Sequence, residues 1–239
     1  MGLKTAKRNA DRLTQIGHTM TVLITGANRG IGLALARSHA ARGETVIATT
    51  RGPIPPDPSP LRWETLDVTD PASHQALAEK LADLPLSRLV CNAGVLLDRN
   101  QTLESGYAAT LWAETFAVNV TGVFLTIQTL LPNLIAGRGK IAIISSQMGS
   151  TTRAPGGSYI YRASKSAALN LGRNLASDLK PKGIPVGIYH PGWVKTEMGG
   201  SGAEIGVDES AKGLSARFDA LSLKTTGCFE CWDGRPHAF

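Results

Sequence analysis

Short runs of apolar and β-branched residues alternate with longer stretches in which apolar positions recur at helical spacing, and the alternation persists from residue 21 to the end of the chain. Thr21–Thr25, Glu44–Thr50, Leu61–Leu66, Leu86–Cys91, Lys140–Ser145, Ile184–Tyr189 and Thr226–Trp232 read as strands. Ile31–Arg42, Pro71–Leu84, Leu111–Leu134, Ser158–Leu179 and Asp208–Leu221 read as helices, the second with its proline in the first turn. Between the second and third strands, Pro53, Pro55, Pro56, Pro58 and Pro60 forbid a helix and leave a surface loop. Strand and helix alternating everywhere but at that loop call for right-handed crossovers. The expected fold class is therefore α/β: one domain, with a doubly wound, mostly parallel sheet of about seven strands and helices on both faces.

The chain of 239 residues suits one large domain over 20–239. Residues 1–19 are set aside as an N-terminal extension, either disordered or a misassigned start. Composition changes this picture little. No apolar run approaches the roughly 20 residues that cross a bilayer and no secretory signal opens the chain, so no membrane partner and a cytoplasmic location are expected. Of the formal charge of +6, half falls in residues 1–19, where Lys4, Lys7, Arg8 and Arg12 oppose only Asp11. The remainder has no basic stripe interleaved with aromatics, so no nucleic-acid partner is expected. Three cysteines are too few for a disulfide framework. The Cys228-x-x-Cys231 pair falls on a strand, where positions three apart face opposite ways, and no metal site is assigned to it or to the scattered histidines.

In doubly wound sheets, ligands sit at the carboxyl ends of the strands, where the winding reverses. Six unusual segments fall there: the turn Thr25-Gly26-Ala27-Asn28-Arg29-Gly30-Ile31-Gly32, then Arg51, Asp67, Asn92-Ala93-Gly94, Ser146 and Pro191-Gly192. Gly26, Gly30 and Gly32, between a strand and a helix, allow a tight turn and close approach of a pyrophosphate to the helix start. The second strand ends in Thr49-Thr50-Arg51, without the carboxylate that usually holds the ribose of NAD; Arg51 and Arg29 instead suit a 2′-phosphate. NADP(H) is thus preferred over NAD(H).

Tyr161 and Lys165 lie four apart on one helix, which sets a phenol beside an ammonium. A phenol titrates near pH 10, and a cation about 4 Å away at an effective dielectric of about 20 favours the phenolate by about 4 kcal/mol. On that arithmetic Tyr161 works as an acid or base near neutral pH. Tyr159 has Ala163 four residues on and gains no such partner.

These motifs, in this order, resemble the short-chain dehydrogenases/reductases across nearly everything from Met20 onward. Within that family, Ser145-Ser146-Gln147-Met148-Gly149-Ser150, Tyr161-Arg162-Ala163-Ser164-Lys165 and the segment from His190 to Gly200 look like the branch of C-factor and the sniffer-type carbonyl reductases. The resemblance implies a Rossmann fold, with Ser146, Tyr161, Lys165 and Asn119 as catalytic residues. Tyr161 would exchange the proton, Lys165 would lower its pKa and hold the nicotinamide ribose, Ser146 would hydrogen-bond the substrate oxygen, and Asn119 would support a water leading from Lys165 to solvent. Asn28 and Ile31 join the glycine turn in the cofactor site. Asp67 and Val68 match positions that contact adenine, Asn92, Ala93 and Gly94 line the cofactor floor, and Pro191, Gly192, Val194 and Thr196 match the loop that holds the carboxamide. A homodimer or homotetramer through the two long helices is also implied.

The resulting expectation is an oxidoreductase that moves hydride between NADP(H) and a small ketone, aldehyde or quinone, or the matching alcohol. A cofactor-binding regulator of C-factor type is the alternative from another class. A sugar-nucleotide epimerase ranks last, because only 47 residues follow Pro191-Gly192, too few for a separate substrate domain. The glycine-rich segment Glu197–Gly206 is expected to form a mobile lid over an open pocket.

Overall fold

The computed structural model describes residues 20–239; the extension set aside above lies outside them. The chain runs β1 (Thr21–Ile24), α1 (Gly30–Ala41), β2 (Thr45–Thr50), β3 (Leu61–Thr65), α2 (Pro71–Leu81), β4 (Arg88–Cys91) and α3 (Ala109–Phe116). A π-helical turn (Ala117–Thr121) leads into α4 (Gly122–Ala136), followed by β5 (Lys140–Ile144), α5 (Tyr159–Leu179), β6 (Val186–His190), α6 (Val207–Ala220) and β7 (Phe229–Cys231). All seven strands form one sheet in the order β3-β2-β1-β4-β5-β6-β7. Every neighbouring pair is parallel, with Val22 opposite Val46 on one side of β1 and Arg88 on the other. The winding reverses between β1 and β4, as a Rossmann fold requires.

Side chains alternate across each strand, and both faces are covered, which is why the strands read as continuous apolar runs. Leu23, Ile47, Leu89, Ile141 and Ile143 pack on one face with Leu77 and Leu81 of α2, Ile127 and Leu130 of α4, and Leu179 of α5. Val22, Ile24, Val46, Val90 and Ile144 pack on the other with Leu35 of α1 and Leu214 and Phe218 of α6. α5 lies close on the sheet because residue 172 is glycine: a methyl there would sit 2.6 Å from Ile188 Cγ1.

The long apolar helix expected from Leu111 to Leu134 is present over Ala109–Ala136 but is not one regular helix. Residues Ala117–Thr121 widen into the π turn, which offsets the ladder by one residue and turns Asn119 into the protein. Within this 28-residue unit an 18-residue stretch has a mean hydropathy of 1.4, long and apolar enough to cross a bilayer by length and composition alone. Half of that stretch is buried in the fold, the position of a core helix.

At the amino edge of the sheet the charges are paired. Arg88, 1% exposed, meets Asp219 at 2.8 Å; Arg42 bridges Asp219 at 2.9 Å and Glu44 at 3.0 Å; buried His39 meets Glu44 at 2.8 Å. Burial alone would raise the Asp219 carboxyl, yet Arg88 and Arg42 hold it below the ordinary carboxylate range.

Candidate active site

β1 delivers the glycine turn. Gly26 and Gly30 take φ of +63° and +54°, the left-handed region that favours glycine. At Gly32 a methyl would lie 2.4 Å from the Gly26 carbonyl oxygen, so only glycine lets α1 start this close to the turn. The side-chain amide of Asn92, from the end of β4, donates to the carbonyls of Thr25 and Gly26 at 3.0 and 3.1 Å. Thr25 Oγ1 in turn accepts from the amides of Asn92 and Ala93, both at 3.0 Å. The turn and the Asn92-Ala93-Gly94 segment are therefore one hydrogen-bonded platform.

The first turn of α1 carries no acidic residue, and no side chain caps it at Arg29. Its free amides and partial positive charge face the cradle, which is the arrangement that receives a phosphate. Gly30 lies against Thr196, whose Cγ2 would be 3.3 Å from an added methyl, so the loop after β6 closes over the turn. These residues fit a dinucleotide.

Further along the same edge, Arg51 follows β2 and its charge reaches Asp67 after β3. The amide and hydroxyl of Thr69 bind the Asp67 carboxylate at 2.9 and 2.7 Å and hold its pKa below the ordinary value. Val68 packs against Gly122 of α4, where an added methyl would meet Val68 Cβ at 2.9 Å. Arg29, paired with Arg51 in the sequence reading, forms an ion pair with Glu197 instead, tying the glycine turn to the loop after β6. Arg51 forms no ion pair with a carboxylate among the described residues.

The reactive residues meet where β4, β5 and α5 converge. Lys165, 4% exposed, donates to the Ile144 carbonyl at 3.0 Å and sits 5.6 Å from the centroid of the Tyr161 ring. Ser145 is bound to α5, its hydroxyl donating to the Lys165 carbonyl at 3.1 Å. Ser146 starts the short turn Gln147–Gly149 by accepting from the Met148 amide at 3.1 Å, and its hydroxyl lies near enough to the Tyr161 phenol to draw its pKa down. Ser146 is thus both a strand-end cap and the phenol's neighbour. Asn119 accepts from the Val95 amide and donates to the Val95 carbonyl, both at 2.9 Å, and to Ser164 Oγ at 3.0 Å. A methyl on Gly94 would lie 3.3 Å from Asn119 Oδ1 and 3.4 Å from Lys165 Nζ, so glycine leaves a passage between them.

The electrostatics correct the arithmetic of an ammonium beside a phenol. Burial pushes Tyr161 up to about 12; the Ser146 hydroxyl and Arg99 oppose it, and Asp98 adds to it. Burial also draws Lys165 down to about 8. Desolvation disfavours the charged form of each group, and the ammonium faces the ring and the Ile144 carbonyl rather than the phenol oxygen. At neutral pH the Tyr161 phenol therefore keeps its proton.

The loop after β6 also differs from the expected loose lid. Gly192, at φ +88°, passes so close to Ile205 that a methyl would sit 2.5 Å from its Cδ1. The 193–205 segment is closed at its base by Lys195 N to Ile205 O at 2.9 Å and Glu204 N to Trp193 O at 3.0 Å. Val194 bridges Ile205 there, and the Pro191 carbonyl accepts from Ser210 Oγ at 2.6 Å. Trp193, 48% exposed, donates its indole N–H to the Gly199 carbonyl at 2.8 Å.

Sequence reasoning missed Asp98 and Arg99. Asp98 is wholly buried in the loop after β4 and accepts from the amides of Ile160 and Tyr161. Arg99 binds the Met198 carbonyl and acts on the phenol. No local signal in Leu97-Asp98-Arg99-Asn100 points to a helix that begins about 60 residues later.

A parallel sheet whose carboxyl edge gathers a phosphate cradle and a buried Ser–Tyr–Lys group defines a dinucleotide-dependent oxidoreductase architecture. The chain belongs to the short chain dehydrogenase family, whose model matches residues 20–204. It is 33% identical over 230 residues to 1-hydroxy-2-glutathionyl-2-methyl-3-butene dehydrogenase of Rhodococcus sp. (strain AD45), covering 90% of this chain and 97% of the other. It is 35% identical over 163 residues to C-signal of Myxococcus xanthus, covering 67% and 96%. Among solved structures, the NADPH-bound carbonyl reductase from chicken fatty liver superimposes with a TM-score of 0.80 at 32% identity, over 92% of this chain and 99% of that one. The protein is therefore an oxidoreductase of a family that acts on carbonyl and alcohol groups with a nicotinamide cofactor.

Proposed function

We propose that the protein is an NADP(H)-dependent carbonyl reductase acting on a small ketone, aldehyde or quinone, with the reverse oxidation of the alcohol available in principle. The observation that carries this reading is the convergence of Ser146, Tyr161 and Lys165 beside Gly94, on the platform that the glycine turn shares with Asn92. When bound, the nicotinamide supplies or accepts the hydride. Tyr161 gives its proton to the carbonyl oxygen as negative charge develops there, and Ser146 donates a hydrogen bond to the same oxygen. A phenol held protonated at neutral pH suits the reductive direction. Lys165 anchors the cofactor ribose, and Asn119 holds the floor of the site by fixing Val95 and Ser164 on either side of it.

Arg51 supports the choice of NADP(H), because it is an exposed cation beyond β2 with no acidic neighbour at the end of that strand. The NADPH bound to the carbonyl reductase from chicken fatty liver supports the same choice.

The test follows NADPH absorbance against a panel of ketones, aldehydes and quinones. The parent protein turns over at least one class, and Tyr161→Phe loses turnover while still binding cofactor. A Tyr161→Phe protein as active as the parent overturns the mechanism. The likeness to C-signal favours a second reading, a cofactor-binding regulator. A protein that binds NADPH, reduces nothing in the panel and retains a specific partner in pull-down would establish that reading instead.

A further inference from the structure

Helix α5 places the phenol, and its first turn lacks a local cap. Ser158, the residue before it, sits in the left-handed region at φ +44° and its side chain makes no capping bond. The cap comes from 62 residues upstream: Asp98 Oδ2 accepts from the Ile160 amide at 2.8 Å and from the Tyr161 amide at 3.3 Å. Asp98 is 0% exposed, and its other oxygen, Oδ1, has no hydrogen-bond partner among the described residues. A surface serine or asparagine would satisfy the same two amides more cheaply, because a buried carboxylate loses its hydration and is only partly compensated here.

We propose that Asp98 is a positioning residue for Tyr161, fixing the first turn of α5 through the backbone and setting by its charge how readily the phenol releases its proton. The proposal rests on the reading of Tyr161 as the acid–base group. Arg99, its neighbour, opposes it: the guanidinium reaches the Met198 carbonyl across the crevice and favours the phenolate, whereas Asp98 disfavours it. Other ionisable groups close by are Lys165 on α5, beneath the ring, and Tyr107 and Tyr159, which pack edge to face at 5.4 Å beside Asp98. Two adjacent residues thus act on one phenol with opposite sign. A cap alone would have no such signature.

The experiment uses the protein saturated with NADP+. Phenolate absorbance is titrated with pH in the parent and in Tyr161→Phe, whose difference isolates residue 161, and then in Asp98→Asn, Asp98→Ala and Arg99→Gln. Asparagine keeps an acceptor for both amides and removes the charge, so its transition moves to lower pH by about half a unit or more. Arg99→Gln moves it to higher pH. Asp98→Ala shares the acid shift and also lowers kcat about tenfold through misplacement of the helix start. The ionisation limb of kcat/KM for alcohol oxidation follows the absorbance. A transition that stays in place in Asp98→Asn, or that moves the same way in Asp98→Asn and Arg99→Gln, overturns the proposal. Should Asp98→Ala fail to fold, Asp98→Asn alone decides. A parent protein that reduces no carbonyl sinks the reductase reading and leaves the absorbance measurement intact.

Discussion

Arg88, on β4 at the amino edge of the sheet, and Lys165, on α5 near its carboxyl edge, are both buried cations. Arg88 meets the Asp219 carboxylate at 2.8 Å, inside a network that continues through Arg42 to Glu44 and His39. Lys165 meets no carboxylate among the described residues; it hydrogen-bonds a backbone carbonyl and faces an aromatic ring. The first arrangement neutralises the charge within the fold. The second leaves the charge incompletely compensated, and the cost appears as a lysine drawn down to about 8. Buried charge at one edge is paired with carboxylates, and at the other it is met only by a backbone carbonyl and a ring.

The comparison breaks first on activity. Tyr161→Phe and Lys165→Met are each expected to lower kcat/KM about a thousandfold, within the range of acid–base catalysis, without lowering the thermal midpoint. A Lys165→Met protein that melts earlier than the parent would make Lys165 a structural cation like Arg88. At the opposite edge, Asp219→Ala strands a buried guanidinium and is expected to cost about 3 kcal/mol in urea unfolding, with kcat/KM unchanged. A drop in kcat/KM there would show that the two edges are coupled.

Stability against pH sharpens the contrast. The pKa of Lys165 falls from 10.5 to about 8 on folding, so between those values the unfolded chain holds a proton that the folded chain has lost. Its contribution therefore rises with pH across that window, by about 3 kcal/mol in all, and below it the burial cost is felt in full. Tyr161 moves the other way: raised from 10.0 to about 12, it contributes stability that is present below 10 and lost as pH rises through 12. Unfolding free energies should climb from pH 8 and turn over above 10, and Lys165→Met should remove the climb. A smaller effect concerns an exposed cation: Arg51→Ala is expected to weaken NADPH about tenfold and leave NADH unchanged, measured by fluorescence titration. Equal weakening of both cofactors would remove the 2′-phosphate from the account.

Much of this was legible residue by residue. The runs Thr21–Thr25 and Lys140–Ser145 predict strands because a parallel strand covered on both faces is apolar at every position. Gly26, Gly30 and Gly32 predict the turn because only glycine tolerates that backbone and that spacing. Tyr161 and Lys165 predict one another because helical geometry is local. What the local pattern did not show depended on distance along the chain. The π turn at Asn119 forms where α3 and α4 wrap past α5, and Arg29 turns to Glu197, 168 residues away. The glycine-rich segment after Thr196 reads as loose, yet backbone bonds to Trp193 and Ile205 close it.

The sequence by itself determined the order and type of the elements, the edge at which the glycine turn and its partner segments gather, and the placing of Tyr161 and Lys165 on one helix face, because each follows from periodicities and steric limits a few residues long. Only the tertiary structure decided how strongly Tyr161 holds its proton, which carboxylate caps its helix, and which buried cation is left unpaired. Those properties depend on desolvation and on charges brought together from distant segments, and no local pattern encodes how deeply a side chain is buried or what it faces.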